Sequence, residues 1–141
     1  MSLPFVLLPL FVEVLLTFGL LFWLSTLRVG DLKSRAVRSE DIALGEPNWP
    51  AATRQVGNAF SNQFELPVLF YVLTILAIIT RHADILFVVM AWIFVLTRVV
   101  HAYEHTTRNK VMRRGGLYGI GLLVLFLMWV IFIVRILLGL P

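Results

Sequence analysis

The chain has 141 residues, 60% of them hydrophobic and 14% charged, with a mean hydropathy of +0.91. A soluble domain of this length leaves much of its surface in water and carries about 25% charged residues, so this composition excludes an ordinary soluble fold and points to lipid as the solvent. The net charge of +4 comes without interleaved basic and aromatic residues, which argues against a nucleic-acid partner, and the absence of cysteine excludes disulfides, thiolate nucleophiles and thiolate metal ligands.

The first apolar run extends from Leu3 to about Leu27. No basic segment precedes it and no A-x-A site follows, so it reads as a retained helix and not as a signal peptide. Residues 28–53 then read as a long aqueous loop. They include Asp31, Lys33, Arg35, Arg38, Glu40, Asp41 and Glu46, and they close through Pro47-Asn48-Trp49-Pro50, with Trp49 expected at the headgroup level. A second helix is expected over 54–80, kinked at Pro67, where a missing N–H frees a backbone carbonyl. Only Arg81, His82, Ala83 and Asp84 separate it from a third helix over 84–108, which predicts a tight hairpin. A fourth helix is expected over 115–140. About 20 residues suffice to cross the hydrocarbon core, so the whole chain is predicted to be one all-α domain, an integral membrane four-helix bundle.

Charge sets the expected orientation. The first loop carries Arg28, Lys33, Arg35 and Arg38, with Arg54 at its end; the third carries Arg108, Lys110, Arg113 and Arg114. The second has only Arg81, and nothing basic precedes the first helix. Positive loops stay inside, so loops one and three are expected in the cytoplasm and both termini outside it. Short loops and no targeting signal point to a bacterial inner membrane.

Two polar stripes stand out at membrane depth. Arg54, Asn58, Asn62 and Glu65 are spaced by four, four and three residues, which puts them on one helical face. Such groups are costly in hydrocarbon, so the stripe lines either a polar ligand cleft or an interhelical lock. Arg98, His101, His105 and Arg108 repeat the pattern at three, four and three. Cations framing two imidazoles suit an anionic ligand. Arg113 and Arg114 read first as anchors to anionic lipid heads. Arg98 lies deeper and is expected to pair with Glu65 or another buried carboxylate, Glu13 of the first helix among them. Residues 101–105 read H-x-x-E-H, in which two histidines can share a zinc with Glu104 as base, but no acidic residue follows to complete the ligand set, so no metal site is expected. Tyr118 opens the fourth helix, where its hydroxyl can reach a ligand, and Gly119 and Gly121 allow close helix contact.

At these stripes the chain resembles the MAPEG family, the membrane-associated proteins in eicosanoid and glutathione metabolism. Arg54, Asn58, Asn62, Glu65 and Pro67 resemble that family's second-helix signature of Arg, Asn, Glu and Pro. Arg98-Val-Val-His101 and His105 resemble its third-helix pattern, and Asn109-Lys110 and Tyr118-Gly119 look like the Asn-Arg and Tyr-Gly that follow. The resemblance implies a homotrimer with glutathione as co-substrate bound between subunits. Arg54, Asn58 or Asn62, and Glu65 would hold the tripeptide's charged ends, with Arg98, His101, His105 and Tyr118 around it. Lys110 falls where catalytic members use arginine to stabilise the thiolate, with Arg108 and Arg113 close by. The implied function is a glutathione transferase or peroxidase acting on lipophilic small molecules. Lysine lacks the rigid fork of arginine, so a non-catalytic lipid-binding or scaffold protein of the same fold stands beside that reading.

Overall fold

The computed structural model of the protein describes residues 2–45 and 47–141; Glu46, read above as a loop carboxylate, lies outside them. Among the described residues every regular element is helical, and four helical stretches are long and apolar enough to cross a membrane.

Helix α1 spans Leu3–Lys33, with a proline in its first turn, where the missing N–H has no helical partner to lose. It continues past Leu27 because the returning chain gives its polar end partners. The Arg28 guanidinium sits 5.1 Å from the centre of the Trp49 ring, and Asp31 accepts a hydrogen bond from the Thr53 hydroxyl. The helix stops at Ser34, whose N–H reaches Gly30, and Arg35 then adopts a φ of 60° that turns the chain. The aqueous loop is therefore shorter than expected, and it contains a one-turn helix α2, Ser39–Ile42.

The second span differs most from its expected form. It consists of two helices, α3 at Ala51–Asn62 and α4 at Leu66–Ile79, instead of one kinked helix over 54–80. Pro67 sits in the first turn of α4, where it offers no N–H to a preceding turn and disfavours helical geometry before it. In the break, the N–H groups of Gln63, Phe64 and Glu65 donate to carbonyls three residues back, at 3.0, 3.1 and 3.3 Å. The buried Gln63 side chain donates to the Ala59 carbonyl at 3.0 Å, which satisfies a further acceptor near the end of α3.

At the turn before α5 (Ile85–Thr106), Asp84 accepts from the Phe87 N–H at 3.0 Å and caps the helix. Its other oxygen pairs with Arg135 at 2.8 Å. That ties the turn to the last residues of α6, which spans Val111–Leu137 and so begins and ends a few residues earlier than the expected 115–140. Asn109, at a φ of 52°, makes the turn between α5 and α6.

Helix α5 is the centre of the bundle, packed against α1, α3 and α6, while α4 lies against α1 and α6. Phe70, Leu73 and Ala77 of α4 meet Ala91, Phe94 and Val95 of α5 in a core closed by Val6, Leu125 and Met128. Phe70 and Phe94 are fully buried, with ring centres 4.9 Å apart. Outward faces of α1 and α6 stay apolar and exposed, as lipid contact allows. The break between α3 and α4, the end of α5 and the start of α6 meet at one end of this bundle.

Candidate functional site

At that end lies a cavity of about 440 Å³ lined by Asn58, Ser61, Asn62, Glu65, His101, His105, Arg114, Gly115 and Tyr118. This volume suits a small ligand, and the lining mixes both charge signs with amide and hydroxyl groups. Each helix contributes for a local reason. The α3–α4 break turns Asn62 inward and leaves Glu65 at the start of α4, where its side chain caps nothing and instead accepts from the Tyr118 hydroxyl at 3.4 Å. On α5, the i, i+4 spacing puts His101 and His105 on one face, with ring centres 5.6 Å apart. The Asn62 amide nitrogen lies 3.5 Å from each nitrogen of the His101 ring, and the Tyr118 ring stands 5.9 Å from the same imidazole.

Arg98 lies beneath the cavity. It is 1% exposed, its Nη2 donates to the Asn62 carbonyl at 3.3 Å, and its guanidinium sits 5.9 Å from the Tyr118 ring. Among the described residues it makes no direct ion pair, although Glu13 and Glu65 both lie within its electrostatic reach. The expected salt bridge to Glu65 is therefore replaced by a backbone hydrogen bond, because the break presents a carbonyl closer to Arg98 than the Glu65 carboxylate is.

The structure brings together Asn58, Asn62, Glu65, His101, His105 and Tyr118, with Arg98 as their floor. It leaves Arg54 apart: that side chain is exposed and reaches back to the Pro47 carbonyl at 3.5 Å. Arg54, Asn58 and Asn62 share the unbroken helix α3, so the break is not the cause; Arg54 stands at the loop end of that helix, one turn before Asn58, and its side chain turns back to the Pro47 carbonyl. Lys110, Arg108 and Arg113 are also exposed and do not line the cavity. Lys110 is the N-cap of α6 in extended conformation, so its side chain leaves the bundle before the helix starts.

Arg114 takes the place that the sequence reading gave to its neighbours. It is half-buried at the cavity wall, with Nη1 donating to the Asn109 side chain at 2.6 Å. Its place in the Asn-x-x-x-x-Arg spacing before Tyr118 was a usable signal, because helical neighbours four apart share a face and Arg114 and Tyr118 are such a pair. Among the described residues no group of three or more His, Cys, Asp and Glu side chains gathers as metal ligands would.

Next along the same helices lies an apolar cavity. Leu66 follows Glu65, and Leu122 lies one turn beyond Tyr118; with Leu69, Leu125, Phe126, Trp129 and Ile133 they line a groove of about 350 Å³ between α4 and α6. One end of the site thus suits a charged, water-soluble molecule, and the other a hydrocarbon.

No curated protein and no solved structure matches the chain. A comparison with protein-family models matches residues 6–134 to the MAPEG family. That match covers all four spans and both polar stripes, and it shows that the chain belongs to the MAPEG family, as a multi-pass membrane protein of the glutathione and eicosanoid metabolism group.

Proposed function

We propose that the protein binds glutathione in the polar cavity and presents its thiolate to a lipophilic electrophile held in the α4–α6 groove. The observation that carries this reading is a polar cavity and an apolar groove lined by successive residues of the same two helical stretches in a MAPEG chain. Glutathione has two carboxylates, an ammonium and a thiol. Glu65 is the anion available for the ammonium, and Asn58, Asn62 and the imidazoles supply neutral polar contacts for a carboxylate. Arg114 is the cation available to the sulfur. A guanidinium beside a thiol favours the thiolate and raises the fraction of nucleophile at neutral pH. The protein then contributes charge and proximity, while sulfur forms the new bond.

The protomer's cavity is open on one side, and exposed Arg54, held only by a long contact to the Pro47 carbonyl, stands one turn from Asn58 where it can turn to a ligand of a neighbouring copy. This supports assembly as a homotrimer with glutathione between subunits. Loops one and three face the cytoplasm on this reading, the termini lie outside it, and Arg108, Lys110 and Arg113 meet anionic headgroups of a bacterial inner membrane.

The exposure of Lys110, Arg108 and Arg113 favours a second reading. With those cations away from the cavity, the chain serves as a non-catalytic lipid-binding or scaffold member. That reading expects lipid in the α4–α6 groove and no turnover with any electrophile.

Calorimetric titration of the detergent-purified protein with glutathione tests the first. Glu65→Gln should weaken binding about ten- to hundred-fold, the loss of one hydrogen bond to a charged group. Arg114→Ala should remove the thiolate absorbance of bound glutathione. A folded parent that binds no glutathione at millimolar concentration overturns the proposal in favour of the second reading.

A further inference from the structure

Glu13 lies in the middle of α1, outside the cavity, with none of its surface exposed. Neither of its carboxylate oxygens has a protein partner, and the Nε and Nη1 atoms of Arg98 have none either. The two residues face the same interior from α1 and α5, within electrostatic reach but without direct contact. Tyr71, which is near both, and Thr17, whose hydroxyl is turned to the Glu13 carbonyl, are polar neighbours on the Glu13 side, while Tyr118 and Glu65 face Arg98 from the cavity. Hydrophobic side chains at both positions would suffice for helix packing. A bare charge in a low-dielectric interior costs several kcal/mol, and it persists where an opposite charge shares that interior.

We infer that Glu13 is a positioning residue for the polar cavity, because its charge keeps the Arg98 guanidinium inside the bundle, where it holds the Asn62 carbonyl at the α3–α4 break. The line of action runs from α1 through α5 to the break, and from Arg98 through the Tyr118 ring to Glu65. Without Glu13, the long Arg98 side chain gains by swinging toward the watered cavity, as cationic side chains do when their stem can stretch to a polar phase. Asn62 then loses its anchor, and the cavity loses a wall. The consequence for ligand binding rests on the glutathione reading above; the consequence for the break does not.

The test is amide hydrogen exchange of the full-length protein in detergent, read on the segment over 62–68 and on the middle of α6 as reference. Glu13→Gln should speed exchange at the break about ten- to hundred-fold, the equivalent of one charge-assisted hydrogen bond, and leave the reference unchanged. Arg98→Gln should do the same, and the double variant should add nothing further, because Glu13 acts through Arg98. Glu13→Asp, which keeps the charge, should restore most of the protection. Unchanged exchange in Glu13→Gln, or a uniform increase in all helices, overturns the inference. Should Glu13→Gln fail to fold, the Glu13→Gln/Arg98→Gln double variant carries no bare charge and replaces it. Exchange at its break equal to that of Arg98→Gln supports the inference, and a further increase beyond Arg98→Gln overturns it. Glutathione titration of the same proteins separates the two claims. A parent that does not bind defeats the site reading and leaves exchange to judge Glu13. A Glu13→Gln protein that binds with the parent's affinity overturns the tie to the cavity.

Discussion

Gly121 lies where α6 crosses α5, and a methyl group there should be costly. A Cβ built on it would lie 3.1 Å from the Thr97 Oγ1, 3.8 Å from the Phe94 ring and 3.9 Å from Cδ of Arg98. The tightest of these neighbours is not free to turn away, since the Thr97 hydroxyl donates to the Phe94 carbonyl at 2.6 Å. Gly121→Ala therefore pushes α6 from α5 by a few tenths of an ångström, an overpacking that costs about 1–3 kcal/mol. Alanine's helix preference over glycine returns about 1 kcal/mol. The net expectation is a loss of about 1 kcal/mol. Gly119→Ala, with nothing within 4 Å of its added Cβ, keeps the propensity gain without the collision. The pair makes the same chemical change two residues apart, so their difference, about 2 kcal/mol, isolates the crossing. Thermal unfolding followed by circular dichroism in detergent should separate the variants by roughly 6 °C, with Gly121→Ala the lower. Equal midpoints, or the reverse order, would refute the argument that this glycine sets the α5–α6 distance.

Three further outcomes are expected. Phe70→Ala removes a fully buried ring packed on Phe94 and should cost about 3–5 kcal/mol in denaturant titrations, unlike Phe126→Ala on the exposed face of α6. Partial burial would raise the Asp84 carboxyl, but the Phe87 N–H and the Arg135 guanidinium outweigh it and hold the group below its usual range. Because the folded value is depressed, its stabilisation is complete above the ordinary carboxylate value of about 4 and is lost as pH falls through the folded value. Asp84→Asn keeps a capping side chain and removes the charge, so its melting temperature should fall less than the parent's below that pH, by no more than about 1 kcal/mol for so exposed a pair. Arg113→Ala should weaken association with anionic lipid and spare glutathione binding, while Arg114→Ala should do the opposite; vesicle-partition and calorimetric measurements on both would detect a reversal.

Much of the site was legible in the sequence for one physical reason. In hydrocarbon every polar side chain must be accounted for, so Asn58, Asn62, Glu65, Arg98, His101 and His105 stand out against their apolar surroundings, and helical spacing sorts them into faces. Hydropathy likewise marks the four spans, because length and apolar character are what crossing a bilayer requires. Tertiary structure alone decided the rest. Pro67 announces a kink, but only the packed bundle shows a full break at 63–65 that sets Glu65 at the head of a new helix, and only the fold of the preceding loop draws Arg54 back to the Pro47 carbonyl. Lys110, Arg113 and Arg114 are near-equivalent cations in sequence. Successive helical residues point about 100° apart, so which one enters the cavity depends on where α6 begins and how it is rotated against α5, and those are set by the Asn109 turn and by the close approach at Gly121. Glu13 and Arg98 lie 85 positions apart, and their shared interior exists only because α1 and α5 pack side by side.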